Sequence, residues 1–191
     1  MNSDLSEKMV RLHDLLDYEI LQFNAGENQL KNAIKKWTVI ASALSMKSLL
    51  LEYLGIIDSH LLFLKEYTLT TQLPALPSSS RIMRAMIAET EDKLKKCGDK
   101  ELLDACLLAS VQEINHLKIS QYGTAATFSN ELTNKKAASL FHLFEINEKK
   151  IVLAPLCRNK KCEDDLKAKS GGAKVLNIPA SQPKKKGKCL I

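Results

Sequence analysis

Apolar side chains recur every three or four residues through most of the chain, which is the pattern of helices with one buried face. One carboxylate, Glu27, stands in the middle of the first such stripe. An unpaired charge in a protein interior costs about 3–5 kcal/mol when its partner is missing. The pattern therefore predicts a compensating metal, cation or proton beside this carboxylate. The members of the stripe are Leu16, Ile20, Phe23, Glu27, Leu30, Ile34, Trp37, Ala41 and Leu44.

The same periodicity predicts four long helices and a short one. The short helix is expected at residues 81–96, and Ser3 is the expected N-cap of the first long helix. Pro155 should end the last helix. Long helices with short connections and inward apolar stripes indicate an all-α four-helix bundle with one additional short helix. The long helices are predicted at residues 4–43, 46–70, 100–132 and 134–153.

Polar side chains interrupt each long stripe near its middle. In an antiparallel bundle the middles of neighbouring helices lie at similar heights, so we expect these side chains to meet in one buried cluster. Helix bundles build di-iron and di-manganese sites in this way, typically from four carboxylates and two histidines. The interrupting residues are Glu27, His60, Asn115 with Lys118, and Glu148.

The composition supports a helical architecture and indicates the cellular compartment. The chain has 191 residues with only 7 Gly and 5 Pro, as expected for a helical domain of about 150 residues with an extension. Its polar N-terminal segment does not resemble a signal peptide, and no run approaches the roughly 18–20 apolar residues that span a bilayer. The odd number of cysteines, five, is typical of free thiols in a reducing cytosol. We therefore expect a cytoplasmic protein without a membrane segment.

The net charge of +6 is concentrated in the last part of the chain. Residues 155–191 contain ten Lys or Arg and three Asp or Glu, a balance of +7, whereas the preceding residues sum to −1. This division predicts a helical bundle at residues 1–156 and a basic, disordered tail at 157–191. The tail either keeps the protein soluble or, through residues 157–188, binds nucleic acid without sequence preference.

Several short motifs along the predicted helices carry a resemblance to a known family. They are Gly26-Glu27-x-Gln29-Leu30, Met86-Ile87-Ala88-Glu89, Asp104-Ala105-Cys106-Leu107-Leu108-Ala109, His116-x-x-Ile119-x-x-Tyr122-Gly123-Thr124, and Ala137-Ala138 with Glu148-Lys149. Together they resemble the YciE/YciF group of ferritin-like proteins over residues 12–153. The resemblance implies a ferritin-like bundle of a kind that holds a carboxylate-rich metal centre.

Residue by residue, the same resemblance implies that most ligands of that centre have been replaced. Glu27 and Glu148 stand at family carboxylate positions of the first and last helices. Ile56 stands at the carboxylate position of the second helix, and Asn115 and Lys118 stand at the two positions of the fourth. With one histidine, His60, only three potential ligands remain of the roughly six that a di-metal site needs.

The sequence leaves three functions open. The preferred one is a non-catalytic structural or stress-related interaction module without a cofactor, in which Glu27, Asn115, Lys118 and Glu148 form a buried salt-bridge network. The second is a residual site of Glu27, His60 and Glu148 that binds iron or manganese and oxidises Fe(II) or handles peroxide. The third is nucleic-acid binding through the tail. Lys118 favours the first, because an ammonium repels a metal ion but pairs with a carboxylate. A homodimer is compatible with each.

Overall fold

The structure of the chain, a computed structural model, describes residues 8–73 and 79–151, and these residues form helices and short connections. No strand occurs within those two ranges. The prediction of an all-α ferritin-like bundle with one additional short helix is confirmed. The predicted N-cap Ser3 and the predicted disordered tail lie outside the described residues. The helices are α1 (Leu12–Ile40), α2 (Leu44–Thr70), α3 (Arg81–Lys95) and α4 (Lys100–Glu131), and α5, which occupies residues 135–151.

The start of α1 corrects the prediction that the first helix begins at residue 4. Residues 8–11 are not helical, because the Asp14 side chain accepts hydrogen bonds from the backbone N–H groups of Val10 (3.2 Å) and Arg11 (3.0 Å). Arg11 is held in an extended conformation (φ −128°, ψ 155°). A carboxylate in the first turn thus satisfies N–H groups that the helix leaves unpaired.

The end of α1 corrects the prediction that this helix reaches residue 43. Asp104 of α4 accepts hydrogen bonds from the backbone N–H groups of Ser42 (2.8 Å) and Ala43 (2.6 Å). These bonds hold an extended connection, so the chain turns into α2 at Leu44. The periodicity predicts Leu44 on the inward stripe, but Leu44 is exposed because it begins the next helix.

The interior is built of two apolar clusters with a polar layer between them. One cluster contains Leu30, Ile34, Trp37, Leu50, Tyr53, Ile57, Leu107, Val111, Ile114 and Ile151, among others. The other contains Leu16, Ile20, Phe23, Leu64, Tyr122, Ala125, Phe141 and Phe144, among others. On each of α1, α2, α4 and α5 the chain passes from one cluster to the other at the polar position predicted from the sequence. The bundle therefore gathers these positions at one height.

The short helix α3 lies against α1 beside this polar layer. The backbone N–H of Ser80, which precedes α3, donates to the Gln29 side chain at 2.7 Å. Met83 of α3 is buried, and a Cβ placed on Gly26 would lie 3.6 Å from the Met83 Cβ. The small residue before Glu27 thus lets α3 pack closely over this part of α1.

Within the described part of the chain, none of the helices has both the length and the hydrophobicity that a membrane crossing requires.

Candidate functional site: a buried charge cluster

The structure brings together the polar side chains that interrupt the helical stripes. Each of them is at most 2% exposed to solvent. They come from four helices. We call these side chains, together with Tyr53 and Tyr122, the charge cluster. The predicted members are Glu27 of α1, His60 of α2, Asn115 and Lys118 of α4, and Glu148 of α5.

Lys118 lies at the centre of the charge cluster, between the two carboxylates. Its Nζ is 2.9 Å from Oε1 and 3.0 Å from Oε2 of Glu27. The same Nζ is 2.6 Å from Oε1 of Glu148. One ammonium therefore neutralises part of the charge of two buried carboxylates, in contacts short enough for charge-assisted hydrogen bonds.

His60 contacts the same carboxylates from α2. Its Nδ1 is 3.0 Å from Oε1 of Glu27 and 3.6 Å from Oε1 of Glu148. Its ring stacks on Phe144, with 4.0 Å between ring centroids. The aromatic contact fixes the ring plane, so that Nδ1 faces the carboxylates.

Two buried tyrosines, which the sequence pattern does not assign to the site, complete the charge cluster. The Tyr53 hydroxyl donates to Oε2 of Glu148 at 3.0 Å and accepts from the Lys118 ammonium at 3.2 Å. The Tyr122 hydroxyl donates to Oε1 of Glu27. Both tyrosines occupy inward stripe positions. A buried phenol needs a hydrogen-bond partner, and this requirement was the available signal.

Asn115 lies in the polar layer but bonds to the backbone. Its Nδ2 donates to the carbonyl oxygen of Glu148 at 3.2 Å. It therefore holds α4 against α5 beside the carboxylates, and its predicted part in a side-chain network reduces to this bond. Ile56, at the family's second-helix carboxylate position, is partly buried and packs against the first apolar cluster.

The environment sets the charge state of Glu27 and Lys118. Burial raises the pKa of Glu27, but Lys118, His60 and the Tyr122 hydroxyl outweigh it and lower the pKa to about 2. Burial lowers the pKa of Lys118, but the two carboxylates outweigh it and raise the pKa above its ordinary value. Both groups are therefore charged at neutral pH and form an ion pair.

The pKa values of Glu148 and of the two tyrosines are raised. Burial raises the pKa of Glu148, the neighbouring Glu27 charge adds to the rise, and Lys118 opposes it only in part. Burial and the two carboxylates raise the pKa of Tyr53 and Tyr122 well above the ordinary value. Both tyrosines therefore stay protonated and can donate hydrogen bonds to the carboxylates, and Glu148 is the carboxylate that protonates first as the pH falls.

The donor set does not fit a di-metal centre. Glu27, His60 and Glu148 each offer a ligand atom, and these atoms lie within 4.8 Å of one another, so the group could hold one metal ion. Two ions would need about six ligands. In addition, the Lys118 ammonium contacts both carboxylates at 2.6–3.0 Å, where it competes with a cation for the same oxygen atoms. The cavity next to Glu27, Lys118 and Tyr122 measures about 10 Å³, close to the smallest space that accepts a water molecule.

Comparisons with known proteins agree with this architecture. The model of the family described as "Domain of unknown function (DUF892)" matches residues 11–151. Protein YciF of Escherichia coli (strain K12) is 36% identical over 58 residues, which are 30% of this chain and 35% of YciF. The aligned segment thus spans about a third of the length of that relative.

Two solved structures share the fold. The E. coli stress protein YciF superposes with a TM-score of 0.73 at 23% identity, over 79% of this chain and 97% of that one. YcfI of Rhodopseudomonas palustris, whose description proposes a structural role, superposes with a TM-score of 0.71 at 22% identity, over 77% and 94% of the two chains. At these identities the likeness establishes the fold alone.

A further family model, described as "Prolyl-tRNA synthetase, C-terminal", matches residues 144–191. This match covers about a quarter of the chain and overlaps the end of α5. Most of it falls outside the described residues.

Proposed function

The chain belongs to the DUF892 family, within the YciF type, and from this premise we propose that it is a non-catalytic helical module in which an internal ammonium has replaced a di-metal centre. The observation that carries the proposal is the position of Lys118, whose Nζ contacts Glu27 at 2.9 Å and Glu148 at 2.6 Å. The E. coli relative is described as a stress protein, so a stress-related interaction or structural role is part of the proposal.

The electrostatic balance supports this replacement. Two buried carboxylates need compensating positive charge, because each isolated buried ion costs several kcal/mol. Lys118 supplies one positive charge, and the hydroxyl groups of Tyr53 and Tyr122 donate hydrogen bonds to the two carboxylates. Glu148, whose pKa is raised, can take up a proton and so complete the balance. The module can therefore fold without a metal ion.

The proposal predicts weak metal binding that improves when Lys118 is removed. Protein purified without chelator should contain iron, manganese and zinc well below one ion per chain. Lys118→Met should bind Mn(II) or Zn(II) at least about tenfold more tightly, because a unit charge 4 Å away contributes several kcal/mol at an effective dielectric constant of about 20. Elemental analysis and calorimetric titration of the folded proteins measure both quantities.

A residual mononuclear metal site is the second candidate function, supported by the grouping of Glu27, His60 and Glu148 within 4.8 Å. One tightly held ion per wild-type chain, lost in Glu27→Gln and in Glu148→Gln, would establish this candidate and refute the metal-free proposal. Lys95→Met, at an exposed ion pair with Asp92 (2.8 Å), serves as the control for nonspecific effects of removing a lysine.

Nucleic-acid binding by the tail remains a separate candidate, favoured by the charge of +7 on residues 155–191. Changing Lys184, Lys185, Lys186 and Lys188 together to Gln should make the slope of log affinity against log salt shallower by about 3–4, since each lost phosphate contact contributes about 0.9. Fluorescence anisotropy with a DNA duplex between about 50 and 200 mM salt measures this slope.

The control for the tail variant changes four exposed lysines of the bundle to Gln and should leave the slope unchanged. These lysines are Lys35, Lys65, Lys96 and Lys150. Equal slopes for the wild type and the tail variant would remove the tail from any nucleic-acid contact. Absence of binding at low salt would leave it as a solubilising segment.

A further inference from the structure

A cavity of about 290 Å³ lies between α3 and α4 and shares no lining residue with the charge cluster. Its lining includes two buried hydroxyl residues, Thr90 of α3 and Ser110 of α4. It also includes two exposed carboxylates, Glu89 and Glu113. The volume is close to the ~300 Å³ at which small-molecule sites begin. The bundle therefore contains a second place where a ligand fits, and it does not depend on the role of Lys118.

The Ser110 hydroxyl is the unusual group of this cavity. Ser110 is 1% exposed, and its Oγ has no hydrogen-bond partner among the described residues. A serine or threonine within a helix can donate to the carbonyl oxygen four residues earlier. Thr90 donates in this way to Met86 at 2.8 Å, and Ser129, on the same helix as Ser110, donates to Ala125 at 2.8 Å. Since the large majority of buried polar groups are hydrogen-bonded, the free Ser110 hydroxyl indicates a partner that occupies the cavity.

The exposed side of the cavity is negatively charged. The carboxylates of Glu89 and Glu113 share one ammonium, that of Lys93, at 3.9 Å and 3.3 Å. Two carboxylates and one ammonium sum to a charge of −1, and Lys93 itself does not line the cavity. A cation in the cavity would therefore face two carboxylates that Lys93 neutralises only in part.

We propose that this cavity binds a small linear amino alcohol, a molecule with an ammonium group, a short aliphatic chain and a terminal hydroxyl. The ammonium lies between Glu89 and Glu113, the chain packs against Met86 and Ile114, and the hydroxyl forms a hydrogen bond with Ser110. The group beside Ser110 is neutral, because a second charge without a partner is costly to bury.

The positions of the polar groups set the length of this ligand. Ser110 and Glu113 are three residues apart on α4, so their Cβ atoms are about 5–6 Å apart, a separation that a chain of about five carbon atoms spans. The Thr90 hydroxyl donates to Met86 and keeps lone pairs that can accept a further hydrogen bond. A ligand hydroxyl, which both donates and accepts, matches the two hydroxyl residues of the cavity.

The test is an NMR titration of the isotope-labelled full-length chain with 5-aminopentan-1-ol. We expect saturable shifts of the amide signals around the cavity, at Met86, Thr90, Ser110 and Ile114. Pentan-1-ol, which lacks the ammonium, and pentylamine, which lacks the hydroxyl, should each bind about threefold more weakly, the effect of one exposed ion pair or one hydrogen bond. Absence of saturable shifts would mean that water alone fills the cavity, and equal affinity for the three probes would mean an apolar contact only. Either result would overturn the proposal.

Ser110→Ala tests the buried end of the site. It should abolish the preference for 5-aminopentan-1-ol over pentylamine, because the partner of the ligand hydroxyl is gone. Ser129→Ala is the matched control, since it removes a buried hydroxyl from the same helix, but one that is already bonded to Ala125. The control should keep the full preference. The same preference in Ser110→Ala as in the wild type would refute the hydrogen bond to Ser110.

Lys93→Met tests the charged end of the site. It should bind 5-aminopentan-1-ol about threefold more tightly, because it removes the ammonium that competes for Glu89 and Glu113. Its affinity for pentan-1-ol should not change. Lys95→Met, which removes an exposed lysine paired with Asp92 (2.8 Å) on the same helix, should leave both affinities unchanged. Equal or weaker binding of the amino alcohol by Lys93→Met would place its ammonium elsewhere and overturn the proposal.

Discussion

Lys118→Met should lower the free energy of unfolding by about 3–5 kcal/mol, the cost of leaving a buried charge without its partner. The ammonium contacts Glu27 at 2.9 Å and Glu148 at 2.6 Å, and both carboxylates are buried. Methionine fills a similar volume but supplies neither charge nor hydrogen bonds. Urea denaturation at neutral pH, followed by circular dichroism, measures the loss.

A second change should restore most of that stability. In Glu27→Leu with Lys118→Met, the unpaired carboxylate is removed, and Glu148 keeps its hydrogen bond from Tyr53 (3.0 Å) and can take up a proton. Replacing a buried ion pair by apolar residues is often neutral or stabilising. A double variant no more stable than Lys118→Met would refute the pairing.

Lys95→Met is the matched control, because it removes a lysine from an ion pair of similar length (2.8 Å to Asp92) at the surface. Exposed pairs contribute about 0–1 kcal/mol. A loss as large as that of Lys118→Met would mean that burial is not the cause.

The sequence determined the layers of the bundle because periodicity reports directly on burial. The pairing of Glu27 with Lys118 could also be predicted from the sequence, since a buried charge requires an opposite one. The ends of α1 could not be predicted from the sequence in the same way. They depend on Asp14 and on Asp104, and the contact of Asp104 with Ser42 joins two helices that are distant along the chain.

The hydrogen bonds within the charge cluster depend on side-chain direction, which the periodicity does not give. The sequence predicts His60 only as a possible metal ligand, but its Nδ1 is 3.0 Å from Glu27, so His60 also belongs to the charge cluster's hydrogen-bond network. The sequence predicts Asn115 as a member of the salt-bridge network, but its side-chain amide donates to a backbone oxygen of α5. The periodicity assigns Tyr53 and Tyr122 to the apolar core, because most of a tyrosine side chain is an aromatic ring. The hydrogen-bond partner of each hydroxyl group is on another helix, and the periodicity does not show it.

Stability should fall at acid pH in a way that depends on Glu27. Its pKa is lowered from 4.5 to about 2 in the folded protein, so its contribution is present above pH 4.5 and is lost as the pH falls toward 2. This shift corresponds to about 3 kcal/mol in total, of which about 2 kcal/mol should disappear between pH 5 and 3. Glu148, with a raised pKa, takes up its proton first and opposes part of this loss. Urea denaturation across this range measures the pH dependence.

Glu27→Gln should be less stable than wild type at pH 7, and the difference should narrow by about 2 kcal/mol as the pH falls to 3. Glu145→Gln is the matched control, since the hydrogen bond from Lys149 also lowers the pKa of that carboxyl, but at the surface. Its difference from wild type should change little with pH because water and salt screen exposed pairs. A constant difference between Glu27→Gln and wild type from pH 7 to 3 would mean that Glu27 is not held as an anion, and the ammonium would then have Glu148 as its partner.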